Sequence, residues 1–172
     1  DLNTPQIASF ERTIIREKSE YKIIKKVFIH RFNNVPTIEL IDSLIHEFNH
    51  GVNSINNELY ESGNILRLRT GIIYNKYDKS NLSKIFNKED YTVLEEVLNT
   101  SETEEIINVI LSLKEHLDID MNHIFKNMLF ALCKETEIPY KSKAYPLQVL
   151  ISRQLLENKT FTSTLNNLRF SG

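Results

Sequence analysis

Between Thr37 and Tyr60 the apolar residues Ile41, Leu44, Ile45, Phe48, Val52, Ile55 and Leu59 recur at steps of three and four. That spacing keeps them on one side of a 3.6-residue helix and predicts a helix over 37–60 with this stripe, Phe48 included, against a core. His46, His50, Asn53 and Asn57 repeat at the same steps on a neighbouring line, so a polar edge runs beside the apolar one. Pro36 and Thr37 suit the first positions of such a helix, and Ser62-Gly63-Asn64 suits its end.

The rest of the chain is patterned less strongly. Residues 7–20 read as a short helix, and 21–32, with alternating β-branched and aromatic side chains, as a strand. Residues 65–74 alternate Leu66 and Leu68 with Arg67 and Arg69 and read as a strand, with 82–86 returning as its hairpin partner after a turn near Asp78. Asp90 is placed to cap a helix to about Asn99, and Ser101 with Glu104 has the form of a capping box opening another to about His116. From Asp120 on, two or three helical pieces are expected, broken at Pro139 and Pro146. The expectation is one α+β domain over 1–172, its short sheet packed on the helix at 37–60. A strand and hairpin insert would span 61–88, two helices 89–116, and a mostly helical C-terminal part 117–172.

Inside the strongest helix lies His46-Glu47-Phe48-Asn49-His50. Imidazoles at i and i+4 project from one side of a helix, one turn apart, at a separation that suits a single zinc ion. The residue after the first histidine is rotated by about 100°, beside the metal instead of on it. A carboxylate there can take a proton from a zinc-activated water and later deliver it to a leaving amine. In a chain of this size the pentapeptide arises by chance on the order of once per hundred, so its helical context matters. The motif sits wholly within the periodic segment. It therefore reads as His46 and His50 for the metal and Glu47 as general base.

Zinc in a catalytic site takes a third protein ligand and keeps one position open. Here the chain resembles the gluzincin clan of metallopeptidases, the thermolysin-like zincins, over His46 to His50 and more loosely over one acidic helix downstream. Asn56 stands where the metzincin pattern would place a third histidine. The resemblance implies a zincin-like fold, Zn2+ as cofactor, a peptide or protein as substrate, and a glutamate from a later helix as third ligand. Glu96 best matches that segment, with Asn99 and Thr100 where supporting polar residues would lie. Glu104, with Asn108 a turn on, is the fallback, and then Glu95, if the helix phase is off by one. The chain departs from the pattern in its long insert after His50 and in Val97, where a small residue is usual.

Composition narrows the partners. A net charge of −2, with lysines scattered among glutamates, gives no basic stripe for nucleic acid or anionic membranes, and no apolar run reaches the length of a membrane span. One cysteine, Cys133, excludes an intrachain disulfide and a multi-thiolate metal site, and among its apolar neighbours it reads as a small hydrophobe. The chain opens on Asp1 with no initiator Met, which leaves room for a removed leader, although a soluble cytoplasmic setting is slightly favoured. Tyr91, His123, Tyr140 and Tyr145 are the candidates for an oxyanion donor, each read first as an ordinary packing residue. Arg67 and Arg69 read as the solvated face of a strand, and His30 and His116 lack ligand spacing to a partner. The expected activity is zinc-dependent peptide hydrolysis. The alternatives are a silent zincin-like domain serving as a binding or regulatory module, and a helical interaction domain with an accidental motif.

Overall fold

The computed structural model of the protein describes residues 6–31, 33–52, 57–70, 72–88, 92–113, 127, 130, 132–134, 136, 139–143, 150 and 156–170. Within them the order is β1 (Ala8–Glu17), β2 (Glu20–Ile29), α1 (Thr37–Val52), β3 (Asn57–Ser62), β4 (Ile65–Thr70), β5 (Ile73–Asp78), β6 (Asn81–Lys88), α2 (Thr92–Ser112) and α3 (Lys159–Phe170). The protein is a mixed α and β structure with two antiparallel sheets, β1-β2 and β3-β4-β5-β6. No helix among the described residues is long and apolar enough to cross a membrane.

The helix expected over 7–20 is instead strand β1. The register runs without a break from Ala8↔Ile29 to Glu17↔Glu20, so β2 satisfies its backbone along the whole length. The β-branched run Thr13-Ile14-Ile15 favours that extended state. The two-residue turn Lys18-Ser19 carries no Asn-Gly signal, and Lys18 reaches a φ of 58° without being glycine. Sequence alone therefore gave this hairpin little warning.

The helix expected over 37–60 ends at Val52, and its predicted last part is strand β3, paired with β4 from Asn57↔Thr70 to Ser62↔Ile65. Gly63, at a φ of 56°, makes the tight turn between them; the Ser62-Gly63-Asn64 breaker closes a hairpin and not a helix. Asn57 thus leaves the line of His46 and His50, while Asn53 and Ile55 lie outside the described residues. The strand expected over 65–74 divides into β4 and β5, which pair from Ile65↔Asp78 to Thr70↔Ile73. The sheet is therefore not built from 21–32 together with the later strands, because β2 pairs with β1 alone. α1 packs against α2, β1 and β2.

The two helices expected over 90–99 and 101–116 are one continuous helix, α2. The capping-box reading fails because the Glu104 carboxylate accepts from the Ser142 backbone N–H at 3.0 Å and from Lys141 Nζ at 3.2 Å. α2 is buried on several sides at once. Leu98 joins Ile72, Ile73 and Leu165 in one core cluster, while Ile107 and Leu111 join Leu132 and Tyr140 in another, supported by Ile38, Ile41, Ile45 and Cys133. A third cluster, Ile14, Leu66, Leu68 and Tyr77, fills the space between the two sheets. Thr100 and Thr103 donate their hydroxyls back to the carbonyls of Glu96 and Asn99 at 2.8 and 2.7 Å, which lets hydroxyls lie in this dry helix.

Phe48 corrects the predicted stripe, since it is 57% exposed. The core cluster on α1 reaches Ile38, Ile41 and Ile45 but not the following turns, where Val52 is exposed as well. On those turns the buried residues of α1 are His46 and Glu47.

Candidate metal centre

α1 and α2 lie side by side, joined by apolar packing of Ile38, Ile41 and Ile45 near the start of α1 and by polar groups further along it. His46 Nε2 is 2.9 Å from Glu96 Oε2, and His50 Nε2 is 3.3 Å from the same oxygen. The two imidazole rings meet edge to face with centroids 5.0 Å apart. One ligand atom from each of His46, His50 and Glu96 lies within 4.8 Å of the others. Tetrahedral bonds of about 2.0–2.1 Å place ligand atoms roughly 3.3 Å apart, close to the two distances measured to Glu96 Oε2. Two imidazole nitrogens and one carboxylate are also a donor set that suits a first-row metal.

A second layer holds these groups. Asn99 Nδ2 and Glu95 Oε1 approach His50 Nδ1 at 2.8 and 3.4 Å, so the ring turns Nε2 toward Glu96. Phe10 of β1 stacks on the same ring with a centroid distance of 6.0 Å. Asn49 Nδ2 donates to Thr103 Oγ1 at 3.2 Å and ties the helices one turn further on. Glu95 is 2% exposed, its Oε2 has no hydrogen-bond partner, and Arg12 Nε nearby is likewise buried and unmatched. Burial pulls the Arg12 pKa down while the charge of Glu95 works to hold it up. Among the three glutamates weighed from sequence, Glu96 meets both imidazoles, Glu95 supports one from behind, and Glu104 anchors residues 141 and 142 instead.

No family model, curated protein or solved structure matches the chain. The chemistry of the site therefore has to be read from its own geometry.

The electrostatics follow from packing two imidazoles on one carboxylate. Burial works against charge on His50, but hydrogen bonds and charge from Glu95 and Glu96 outweigh it and hold its pKa at about 9. Burial likewise works against an ionised Glu96, and the hydrogen bonds and charge of His46 and His50 overcome it, bringing the carboxyl to about 2.

Glu47 stands apart from that cluster. It is 8% exposed, and burial raises its pKa against the opposing pull of His50 and His46 and a backbone hydrogen bond from Phe10. With His46 it lines a cavity of about 160 Å3, completed by Gln6, Ile7, Ala8, Asp42 and Ser43. A water occupies about 30 Å3 of liquid, so the space holds a few waters or one small side chain. Drug-sized sites begin at about 300 Å3, so this cavity is smaller than those.

Asp42, one helical turn before His46, is a residue that the sequence reading missed. It accepts from Tyr140 Oη at 2.9 Å and Ser142 Oγ at 2.7 Å, and burial raises its pKa against those two hydrogen bonds. Its i−4 spacing to His46 was the signal available. Phe10 and Arg12 offered none, because β1 reaches the site only through the fold. Tyr140, a candidate oxyanion donor, gives its hydroxyl to Asp42; Tyr91, His123, Tyr145 and also His116 lie outside the described residues. His30 is engaged elsewhere, 2.6 Å from Ser9 Oγ.

Proposed function

We propose that the protein is a zinc-dependent peptidase of zincin type, with His46, His50 and Glu96 as metal ligands and Glu47 as general base. The observation that carries this reading is the meeting of both imidazoles with Glu96 Oε2, while Glu47, one residue from a ligand, faces the adjoining cavity. Bound zinc would supply Lewis acidity, lowering the pKa of water and polarising a carbonyl. The chain's residues do the rest. Glu47, its pKa raised by burial, takes the proton of the attacking water and passes it to the departing amine. Glu95 and Asn99 keep the His50 ring oriented, and Phe10 covers it from solvent.

A mixed peptide pool, digested with purified protein and read by mass spectrometry, tests the proposal. Wild type with zinc should cleave, chelation should stop it, and Glu47→Gln should keep zinc while losing about a hundredfold to ten-thousandfold in rate. Equal cleavage by Glu47→Gln would remove Glu47 from the chemistry. The small cavity favours one second reading, a zincin-like domain that binds and does not turn over. Stoichiometric zinc with no cleavage across the pool would select that reading, and absence of any metal uptake would end both.

A further inference from the structure

Residues two apart along a strand share a face, and one face of β1 serves the metal centre residue by residue. Ala8 is buried and helps to line the cavity beside His46 and Glu47. Phe10 stacks on the His50 ring at 6.0 Å between centroids and 14° between planes, and its backbone makes the hydrogen bond to Glu47. Arg12 follows, with its guanidinium carbon 5.4 Å from the centroid of the Phe10 ring. Ile14 then enters the core between the sheets.

Arg12 acts on both groups that support His50. One is Phe10, which covers the face of the imidazole and over which the guanidinium lies. The other is Glu95, whose Oε1 approaches His50 Nδ1 at 3.4 Å and whose charge acts on Arg12 more strongly than that of Tyr77. Arg12 Nε and Glu95 Oε2 are buried, and neither has a hydrogen-bond partner among the described residues. A buried cation and a buried carboxylate left in this way are unfavourable unless each answers the charge of the other. A guanidinium suits the position, because it lies flat on an aromatic ring and is less strongly hydrated than an ammonium.

We infer that Arg12 is a positioning residue of the metal centre, holding Phe10 and Glu95 against His50 so that its Nε2 faces Glu96. This rests on the metal reading given above. Arg12 touches neither of the imidazoles in that role; it acts through the two side chains between. Without the guanidinium, Glu95 loses the opposite charge that β1 brings to it, and Phe10 loses the cation lying over its ring.

The test is a zinc titration of the full chain against a chromophoric chelator, with the visible spectrum of the cobalt-loaded protein as a second readout. Wild type should take up zinc, and Arg12→Gln should bind it roughly tenfold more weakly. In Glu95→Gln the carboxylate charge is already gone, so adding Arg12→Gln should cost a further factor of about three or less. Arg12→Lys keeps the charge, and so carries the test if Arg12→Gln fails to fold. Its ammonium cannot lie flat on Phe10, so zinc affinity should fall by a smaller factor while the cobalt bands still move from their wild-type positions. An arginine that served only the fold would lower the melting temperature and leave those bands in place. Cobalt bands identical to wild type in every Arg12 variant that folds overturn the inference. So does an equal loss of zinc affinity from Arg12→Gln with and without the Glu95 carboxylate. Zinc uptake by wild type and Arg12→Gln with the same affinity overturns the inference alone, whereas no uptake by wild type overturns the metal reading with it.

Discussion

The α1–α2 contact and the β3–β6 sheet solve the burial problem in opposite ways. The sheet follows the ordinary rule, with Leu66 and Leu68 fully buried and Arg67 in water. On the last turns of α1 the rule is inverted: His46 and Glu47 are 8% exposed, and Phe48 beside them is 57% exposed. Burying ionisable groups is unfavourable unless they are paired: Glu96 pairs His46 and His50, Glu95 also meets His50, and Glu47 answers its burial with a raised pKa and a backbone hydrogen bond from Phe10. Apolar burial is concentrated in the sheet and the cores around α2, and the candidate metal centre lies where those cores stop.

The sharpest way to break that comparison is to remove apolar volume on the sheet side. Leu68→Ala should lower the unfolding free energy by about 2–5 kcal/mol in urea titrations, as expected for a buried leucine. Its metal content should not change once folded, because the apolar cluster around Leu68 is built from strand residues. A mutant of normal stability would show that the sheet does not carry the fold.

On the other side, Glu96→Ala should weaken metal affinity by roughly tenfold or more, measured by competition with a chelator. Glu104→Ala should leave that affinity near wild type and instead lower stability by about 1–3 kcal/mol, since it strips acceptors from the Ser142 N–H and Lys141. Reversal of the two outcomes would move the third ligand to Glu104.

A pH series on metal-free protein sharpens the same contrast. His50 has its folded pKa raised from 6.5 to about 9, so its stabilisation is complete below 6.5 and fades as pH rises through 9. Glu96 has its folded pKa lowered from 4.5 to about 2, so its stabilisation is complete above 4.5 and fades as pH falls through 2. The melting temperature of the metal-free form should therefore peak between these limits and decline toward alkaline pH. In His50→Ala the alkaline decline should flatten. An unchanged alkaline limb in that variant would mean other groups govern it.

The smallest effect is expected at Phe48. Although it lies in the middle of the motif, Phe48→Ala should change stability by no more than about 0.5 kcal/mol, the range of exposed positions. A loss of several kcal/mol would place Phe48 against a surface that its exposure does not reveal.

Much of α1 was legible in the sequence, because a 3.6-residue period and the i, i+4 spacing of His46 and His50 are local properties of one helix. The alternation in 65–70 and the turn at Asp78 were local too, the latter made by the Asp78 side chain accepting from Ser80 N at 2.8 Å. Other features depended on partners far along the chain. Residues 8–17 became a strand because β2 runs beside them, and residues 57–62 left the helix because β4 offers them a ladder. Phe48 faces outward because the core of α2 stops short of it. The choice among Glu95, Glu96 and Glu104 lay beyond any spacing rule. Each sits on the same helix, and only the docking of α1 on α2 sets which carboxylate meets the imidazoles, which one lies behind them and which turns to Ser142. By itself the sequence determined the chemical groups and their placement within one helix, since those follow from covalent connectivity and helical repeat. Which groups meet across helices and strands was decided by tertiary packing, because contact between residues fifty apart is fixed by how whole surfaces bury and not by local period.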